Sequence, residues 1–285
     1  MDITIGDIKL RSLTEVQTTG GSKFVLPQAT PGAIQAIPWL IPTFADERGR
    51  LIMAVQSFLI EIGGKKILVD TGLGNDKTGR IVPSWNGRKD DFLDRLAAVG
   101  FGPDDVDIVV NTHLHVDHVG WNARLVDGAW APTFPNARYV TGRTEFAYWR
   151  DQTADAEHRQ VFEDSVRPIA DAGLYDLIDD GDEIVPGLSA VATPGHSIGH
   201  MSLKLRSGSD EAVLGGDVLH HACQLAHPEW SSTPDYDQRQ SAATRRLFFG
   251  TLAGTRTLFI AGHAPDGRGG FVVRDGDGFR LDLAR

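Results

Sequence analysis

Cysteine is almost absent: a single thiol, Cys223, stands among 285 residues. It cannot close an internal disulfide or build a thiolate cage, so any metal must be held by His and carboxylates, and a reducing, cytoplasmic setting is expected. Cys223 itself reads as a small buried hydrophobe. Long apolar runs are missing as well. Nowhere do roughly 18 apolar residues follow one another, and Met1-Asp2-Ile3-Thr4-Ile5-Gly6-Asp7 lacks the basic start and apolar stretch of a secretory signal. No membrane association is expected. Positive charge is in deficit, with 28 Lys+Arg against 38 Asp+Glu, a net −10 with His neutral. Such a surface repels phosphate backbones, which excludes nucleic acid as an expected partner.

What is present suffices for a large core: 41% of residues are hydrophobic, including 6 Trp and 13 Phe. Strand and helix signals interleave from end to end with no linker-like stretch, which predicts one α/β domain over 1–285. The opening residues 2–10 alternate as a strand does, and Thr18–Phe44 reads as a long loop. Apolar runs at Ala54–Ile62 and Lys66–Val69 flank Gly63-Gly64, a hairpin signal. Helical spacing over Asp90–Val99 ends at Gly100, and Val106–Val110 suits a buried strand. Further on, Arg143–Arg150, Glu157–Ala170 and 235–253 read as helices. Leu188–Ala192, Met201–Leu205, Ala212–Leu214 and Thr257–Ala261 read as strands, and Phe271–Leu283 as a hairpin.

The run into Asn111-Thr112-His113-Leu114-His115-Val116-Asp117-His118 carries H-x-H-x-D-H. In extended backbone, residues i and i+2 point the same way, so His113 and His115 can pinch one ion, while Asp117 and His118 can swing toward a second. With 10 His and 38 acids in 285 residues, chance supplies such a pattern about 0.002 times in a chain of this length. His196, Asp217 and His263 each follow a predicted β-run in a Gly-containing turn, where backbone can approach an ion closely. Five imidazoles and two carboxylates suit a pair of zinc ions.

On these residues the chain resembles the metallo-β-lactamase superfamily of αββα metallohydrolases, a four-layer sandwich. The match runs from Val69-Asp70-Thr71-Gly72 through His113–His118 and His196 to Asp217 and His263. The resemblance implies two Zn2+ per chain, one held by His113, His115 and His196, the other by Asp117, His118 and His263, with Asp217 bridging. Asp70 would orient a ligand from outside the coordination sphere. His200 would make a similar contact or simply pack in its strand. Two zinc ions sharing a hydroxide imply hydrolysis of a carbonyl or phosphoryl group. His115 stands where flavin-linked relatives carry an acid, and Asp217 where β-lactamases proper tend to carry Cys or Ser.

The stretch Gly216-Asp217-Val218-Leu219-His220-His221 resembles the branch of acyl-homoserine lactonases, 4-pyridoxolactonase and methyl parathion hydrolase. His220 stands where several lactonases place a tyrosine on the substrate carbonyl. Asp117 and His220 are thus the expected catalytic groups, with His221 competing for the pocket. Trp39, Phe44, Trp85 and Trp121 fall in predicted loops; Trp39 and Trp85 are the preferred substrate wall, with Phe44 and His221 as further contacts. His158 reads as a solvated surface residue, and His227 as a pocket rim or a loop stabiliser. A lactone or carboxylic ester is the expected substrate. Aryl organophosphate triesters are the alternative, a non-catalytic metal-bound scaffold is the rival class, and a homodimer is left open.

Overall fold

The computed structural model describes residues 2–152 and 154–283. One sheet runs in the order Asp2–Ile5, Ile8–Thr19, Ile52–Ile62, Lys65–Val69, Ile108–Val110, Arg138–Gly142, Tyr175–Ile178. The other runs Glu183–Val185, Leu188–Ala192, Met201–Ser207, Asp210–Leu214, Leu258–Ile260, Gly269–Asp275, Gly278–Asp282. The hairpin at Gly63-Gly64 forms as its sequence demands, with φ of 56° and 78° at the two glycines, angles that a two-residue hairpin turn requires and a Cβ resists. The strands from Lys65–Val69 to Tyr175–Ile178 pair in parallel, which obliges the chain to cross over between them through helices.

Side-chain alternation then sets the layers. One core joins the inner faces of both sheets, with Phe58, Ile60, Val69 and Val110 packing together with Leu203, Leu205, Leu214 and Ile260. The outer face of the first sheet, at Leu59, Leu68, Val109 and Tyr139, packs on Phe92, Leu96 and Ile169 from helices. The outer face of the second, at Val213, Phe259, Val272 and Leu281, packs on Phe249 and Leu252 of the helix Gln238–Leu252 and on residues of the 26–51 segment. This is the expected αββα order. Among the described residues, no helix is long and apolar enough to cross a membrane.

Two expectations change. The strand opening the chain is a hairpin whose second arm continues to Thr19, and the loop beyond it contains the short helices Ser22–Val25 and Pro31–Gln35. The helix expected over Glu157–Ala170 is broken into Ala156–Val161, a π-turn at Phe162–Val166, and Arg167–Asp171. Pro168 offers no N–H to the ladder, so the preceding turn widens instead of continuing regularly.

The π-turn presents Asp164, which is fully buried, to two cations of the 74–90 loop. Arg80 Nη2 donates to Asp164 Oδ1 at 2.8 Å, and Lys77 Nζ donates to the carbonyls of Asp164 at 2.6 Å and Ala123 at 2.9 Å. Lys77 also sits over the Trp130 ring at 3.7 Å. Burial lowers its pKa from 10.5 to about 7, against the opposing pull of Asp164. Between those values the unfolded chain binds more protons than the folded one, so this group makes stability rise with pH. Urea denaturation of wild type and Lys77→Met should therefore show the difference moving in favour of wild type by about 1–2 kcal/mol from pH 7 to pH 9; a constant difference contradicts it.

Candidate metal centre

The seven expected ligands converge. Each lies just past the C-terminal end of a strand: His113, His115, Asp117 and His118 after Ile108–Val110, His196 after Leu188–Ala192, Asp217 after Asp210–Leu214, and His263 after Leu258–Ile260. The turn before Asp217 has no room for a side chain, because Gly216 takes φ 52° and a Cβ there would stand 2.7 Å from His200 Nε2.

Hydrogen bonding fixes which ring nitrogens face inward. His118 Nδ1 donates to Asp70 Oδ2 at 2.9 Å, His196 Nδ1 to Asp235 Oδ1 at 3.0 Å, and His263 Nδ1 to the Ala54 carbonyl at 2.8 Å. Thr112 Oγ1 gives its own proton to Asp70 Oδ2 at 2.9 Å and so accepts from His113 Nδ1 at 3.1 Å. Four rings are thereby turned with Nε2 toward the centre. His113 Nε2, His115 Nδ1 and His196 Nε2 lie 2.7–3.1 Å from one another. Lone pairs that close repel unless a cation sits among them.

Asp217 reaches both halves. Its Oδ2 is 3.1 Å from His263 Nε2, 3.4 Å from His196 Nε2 and 4.0 Å from His113 Nε2. Its Oδ1 lies 3.3 Å from His118 Nε2, and both are buried atoms with no hydrogen-bond partner among the described residues. Asp117 Oδ1 is 3.8 Å from His118 Nε2 and Oδ2 is 3.7 Å from His263 Nε2. Two adjoining donor groups result, His113–His115–His196 and Asp117–His118–His263, with Asp217 beside each. The donor set fits divalent ions such as zinc: imidazole and carboxylate, orphaned buried donor atoms, no thiolate.

The halves differ electrostatically. Burial and neighbouring imidazoles hold His113 and His115 well below the usual histidine pKa, so they present the neutral, ligating form. Burial also presses on His263, but Asp217 and Asp117 overcome it and raise its pKa to about 9, and His118 is raised well above its ordinary value by Asp217 and Asp70 against the same burial. The carboxylates thus gather positive charge on their own side.

Supporting residues account for this placement. Asp70 holds φ 55°, a conformation rare for a residue with a Cβ, while its Oδ1 accepts from Thr112 N at 2.9 Å. His200 is no mere packing residue: its Nε2 accepts from the Asp217 amide at 2.8 Å, and burial lowers its pKa to about 3. Three supports carry no local sequence signature. Buried Glu145 accepts from Leu114 N at 3.1 Å and Gly199 N at 2.9 Å, tying two ligand loops to one helix. Gln56 Nε2 donates to the carbonyls of Gly262 and Ala264 at 2.8 and 2.7 Å, bracketing His263. Asp235, which orients His196, accepts from Ser232 N and Oγ and lies 3.7 Å from the buried Arg245.

Other expected site residues divide. His220 Nε2 stands 3.2 Å from Asp217 Oδ2, its ring stacked parallel to His263 with centroids 5.7 Å apart. His221 does not share that position. Its Nε2 donates to the Phe44 carbonyl at 2.7 Å and its Nδ1 accepts from Cys223 N at 3.1 Å, so both ring nitrogens serve the backbone. Phe44 is fully buried in the apolar core, as is Trp121 on Phe92. The expectation that Phe44 and His221 touch substrate is corrected accordingly. Trp39 is half-buried, edge-on to Phe44 at 6.1 Å, and Trp85 is half-buried in a short turn, Pro83–Trp85. His227 stacks on Trp230 at 4.1 Å and steadies its own loop, and Cys223 is buried as expected. His158 is not solvated surface: it is half-buried, 4.3 Å from the Trp149 ring and 5.9 Å from the His115 ring.

The profile of the metallo-beta-lactamase superfamily matches residues 52–263. The chain belongs to this superfamily. Among curated members it is 31% identical over 180 residues to an N-acyl homoserine lactonase of Bacillus thuringiensis, covering 58% of this chain and 64% of that protein. It therefore spans under two thirds of that relative's length. To the N-acyl homoserine lactonase AttM of Rhizobium radiobacter it is 28% identical over 243 residues, 74% of this chain and 82% of that protein. Its superfamily fold is shared by the dizinc quorum-quenching lactonase AidC, solved with a product, N-hexanoyl-L-homoserine, at TM-score 0.79 and 22% identity over 100% and 97% of the two chains. Hydrolase AbOPH matches with TM-score 0.80 and 23% identity over the same shares.

Because Asp235 fixes the ring of His196, Asp235→Ala should weaken metal affinity about 10–100-fold in chelator competition. Asp237→Ala, which removes only a helix cap accepting from Arg239 and Gln240 amides, should cost about 1 kcal/mol of stability and leave metal affinity intact. Equal metal affinity in both variants would remove Asp235 from the site.

Proposed function

We propose that this protein opens lactones, or cleaves closely related carboxylic esters, at a dinuclear zinc centre. The observation that carries the proposal is the convergence of five imidazoles on one buried carboxylate, Asp217, with His115 and Asp117 half-exposed at the approach. Relatives named as N-acyl homoserine lactonases support the substrate class. In this reading His113, His115 and His196 would hold one ion and Asp117, His118 and His263 the other, with Asp217 a donor available to either. When bound, the ions supply Lewis-acid polarisation of the ester carbonyl and activation of water.

The chain's own residues do the rest. Asp117 is the carboxylate open to substrate, placed to take a proton from the attacking water and return it to the departing alkoxide. The leaving oxygen of a lactone stays tethered to the acyl product, so a single proton carrier on that side serves both steps. His220, buried and therefore neutral, with its pKa lowered to about 3, has one ring proton to offer, and Nε2 is the atom on the Asp217 side. It stabilises the carbonyl oxygen as negative charge develops. Trp85, and Trp39 beside the apolar core, are proposed to flank the substrate.

Zinc-loaded protein assayed on γ-lactones of differing acyl length, an aryl ester, a thioester, a phosphotriester and a β-lactam should turn over a lactone with the highest kcat/KM. A phosphotriester in first place would replace the proposal. His220→Phe keeps the ring and removes the donor; kcat/KM on the best lactone should fall about a hundredfold with both metals retained. Full activity across the pH range would reduce His220 to packing.

A further inference from the structure

His158 lies 40 residues beyond His118, the last residue of the H-x-H-x-D-H run, on a helix of only six residues, Ala156–Val161, yet it is brought against the metal centre. Its ring leans on Trp149 with centroids 4.3 Å apart, and Trp149 in turn meets His115 edge-on at 5.6 Å. Trp149 is locked from behind, since its Nε1 donates to Glu145 Oε1 at 2.7 Å, the carboxylate that also pins both ligand loops. His115, Trp149 and His158 therefore form one continuous aromatic wall. Of these, His115 and His158 are the two that keep partial exposure. The Nδ1 of His158 is buried and has no hydrogen-bond partner among the described residues.

The short helix could not hold such a position by its own stability, since helices of this length are marginal. It is fastened instead. Asp155 caps it, accepting from His158 N at 2.8 Å, and Glu157 Oε1 accepts from Ile81 N of the 74–90 loop at 2.6 Å. Directly behind, the π-turn is clamped to the same loop by Arg80 and Lys77 on Asp164. A buried ionic cluster costs desolvation and is poor evidence for stability by itself, but it fixes relative position well. Here it fixes the element carrying His158 to the loop carrying Trp85.

We propose that His158 is a substrate-positioning residue, which hydrogen-bonds a polar arm of the substrate outside the scissile group. This rests on the lactonase reading and names the part of the substrate that is recognised. Its ring centre is 5.9 Å from that of His115, so a group hydrogen-bonded to it lies alongside His115. A carboxamide substituent is the matching chemistry: it offers one donor and one acceptor, so an imidazole nitrogen finds a partner on it whether it donates or accepts. Apolar cover from Trp149 strengthens such a bond by excluding water.

The test compares two substrates, a γ-lactone bearing an acylamino arm and the same lactone without it, in zinc-loaded wild type, His158→Phe and His158→Asn. Phe keeps the stack on Trp149 and removes the polar nitrogen; Asn restores an amide near the Nδ1 position. The expected result is that His158→Phe lowers the preference for the armed lactone, as a kcat/KM ratio, by about tenfold or more, through KM rather than kcat, with two metals retained, and that His158→Asn recovers part of that preference. An equal loss on both lactones, a loss accompanied by metal release, or an unchanged ratio overturns the role of His158. If wild type opens neither lactone, the function itself is wrong and this assignment falls with it; lactone turnover with an unchanged ratio leaves the function standing and removes only His158.

Discussion

A buried carboxylate without a protein cation is costly, and Asp217 is surrounded by imidazoles that are mostly turned to offer lone pairs rather than protons. Taken out of water, such an anion is stable only beside positive charge. In the protein alone that charge comes from protons on His118 and His263, whose pKa values Asp217 and its neighbours raise. On the opposite side, burial and neighbouring imidazoles hold His113 and His115 well below the usual histidine pKa, so those two rings bring no positive charge to the crowded ring nitrogens. A pair of divalent ions answers both problems together, which is why the rest of the architecture can be read as a means of holding six side chains around this one group.

The two sheets accomplish this through their strand ends. Because the strands bearing the ligands end on the same side of the sandwich, short turns beyond them need only small excursions to converge. Each turn is then fastened by a polar residue from elsewhere: Glu145 for the loops at Leu114 and Gly199, Gln56 for His263, His200 for the Asp217 amide, Asp70 for His118. Every one of these fasteners is buried. Each bond is therefore made where water competes little, and losing one partner would leave the other unsatisfied. Rigid ligand geometry follows from that network more than from the loops themselves.

Much of this was legible in the sequence because it is local. The H-x-H-x-D-H run, the glycine turns at Asp217 and His263, and the alternation of the central strands are patterns within a few residues, and their physical meaning survives without a fold. What depends on distant packing was not legible. Phe44, Trp121 and His221 sit in segments that read as loops, but which way a side chain faces there is set by the sheet it lands on. Asp235, Glu145 and Gln56 are single polar residues whose partners lie 39, 54 and 206 positions away, and no spacing rule marks them. The break in the 157–170 helix follows from Pro168, a visible signal, while its use in presenting Asp164 to Lys77 and Arg80 emerges only in three dimensions.

The central claim is that Asp217 joins two donor groups into one dinuclear site. Its most direct test is titration of zinc into metal-free wild type and Asp217→Ala, read as ions bound per chain by elemental analysis after equilibrium dialysis, with circular dichroism confirming that the variant is folded. The structure predicts saturation at about two ions in wild type and loss of tight binding for both in the folded variant. Saturation at one ion in wild type, or two tightly held ions in Asp217→Ala, would contradict it.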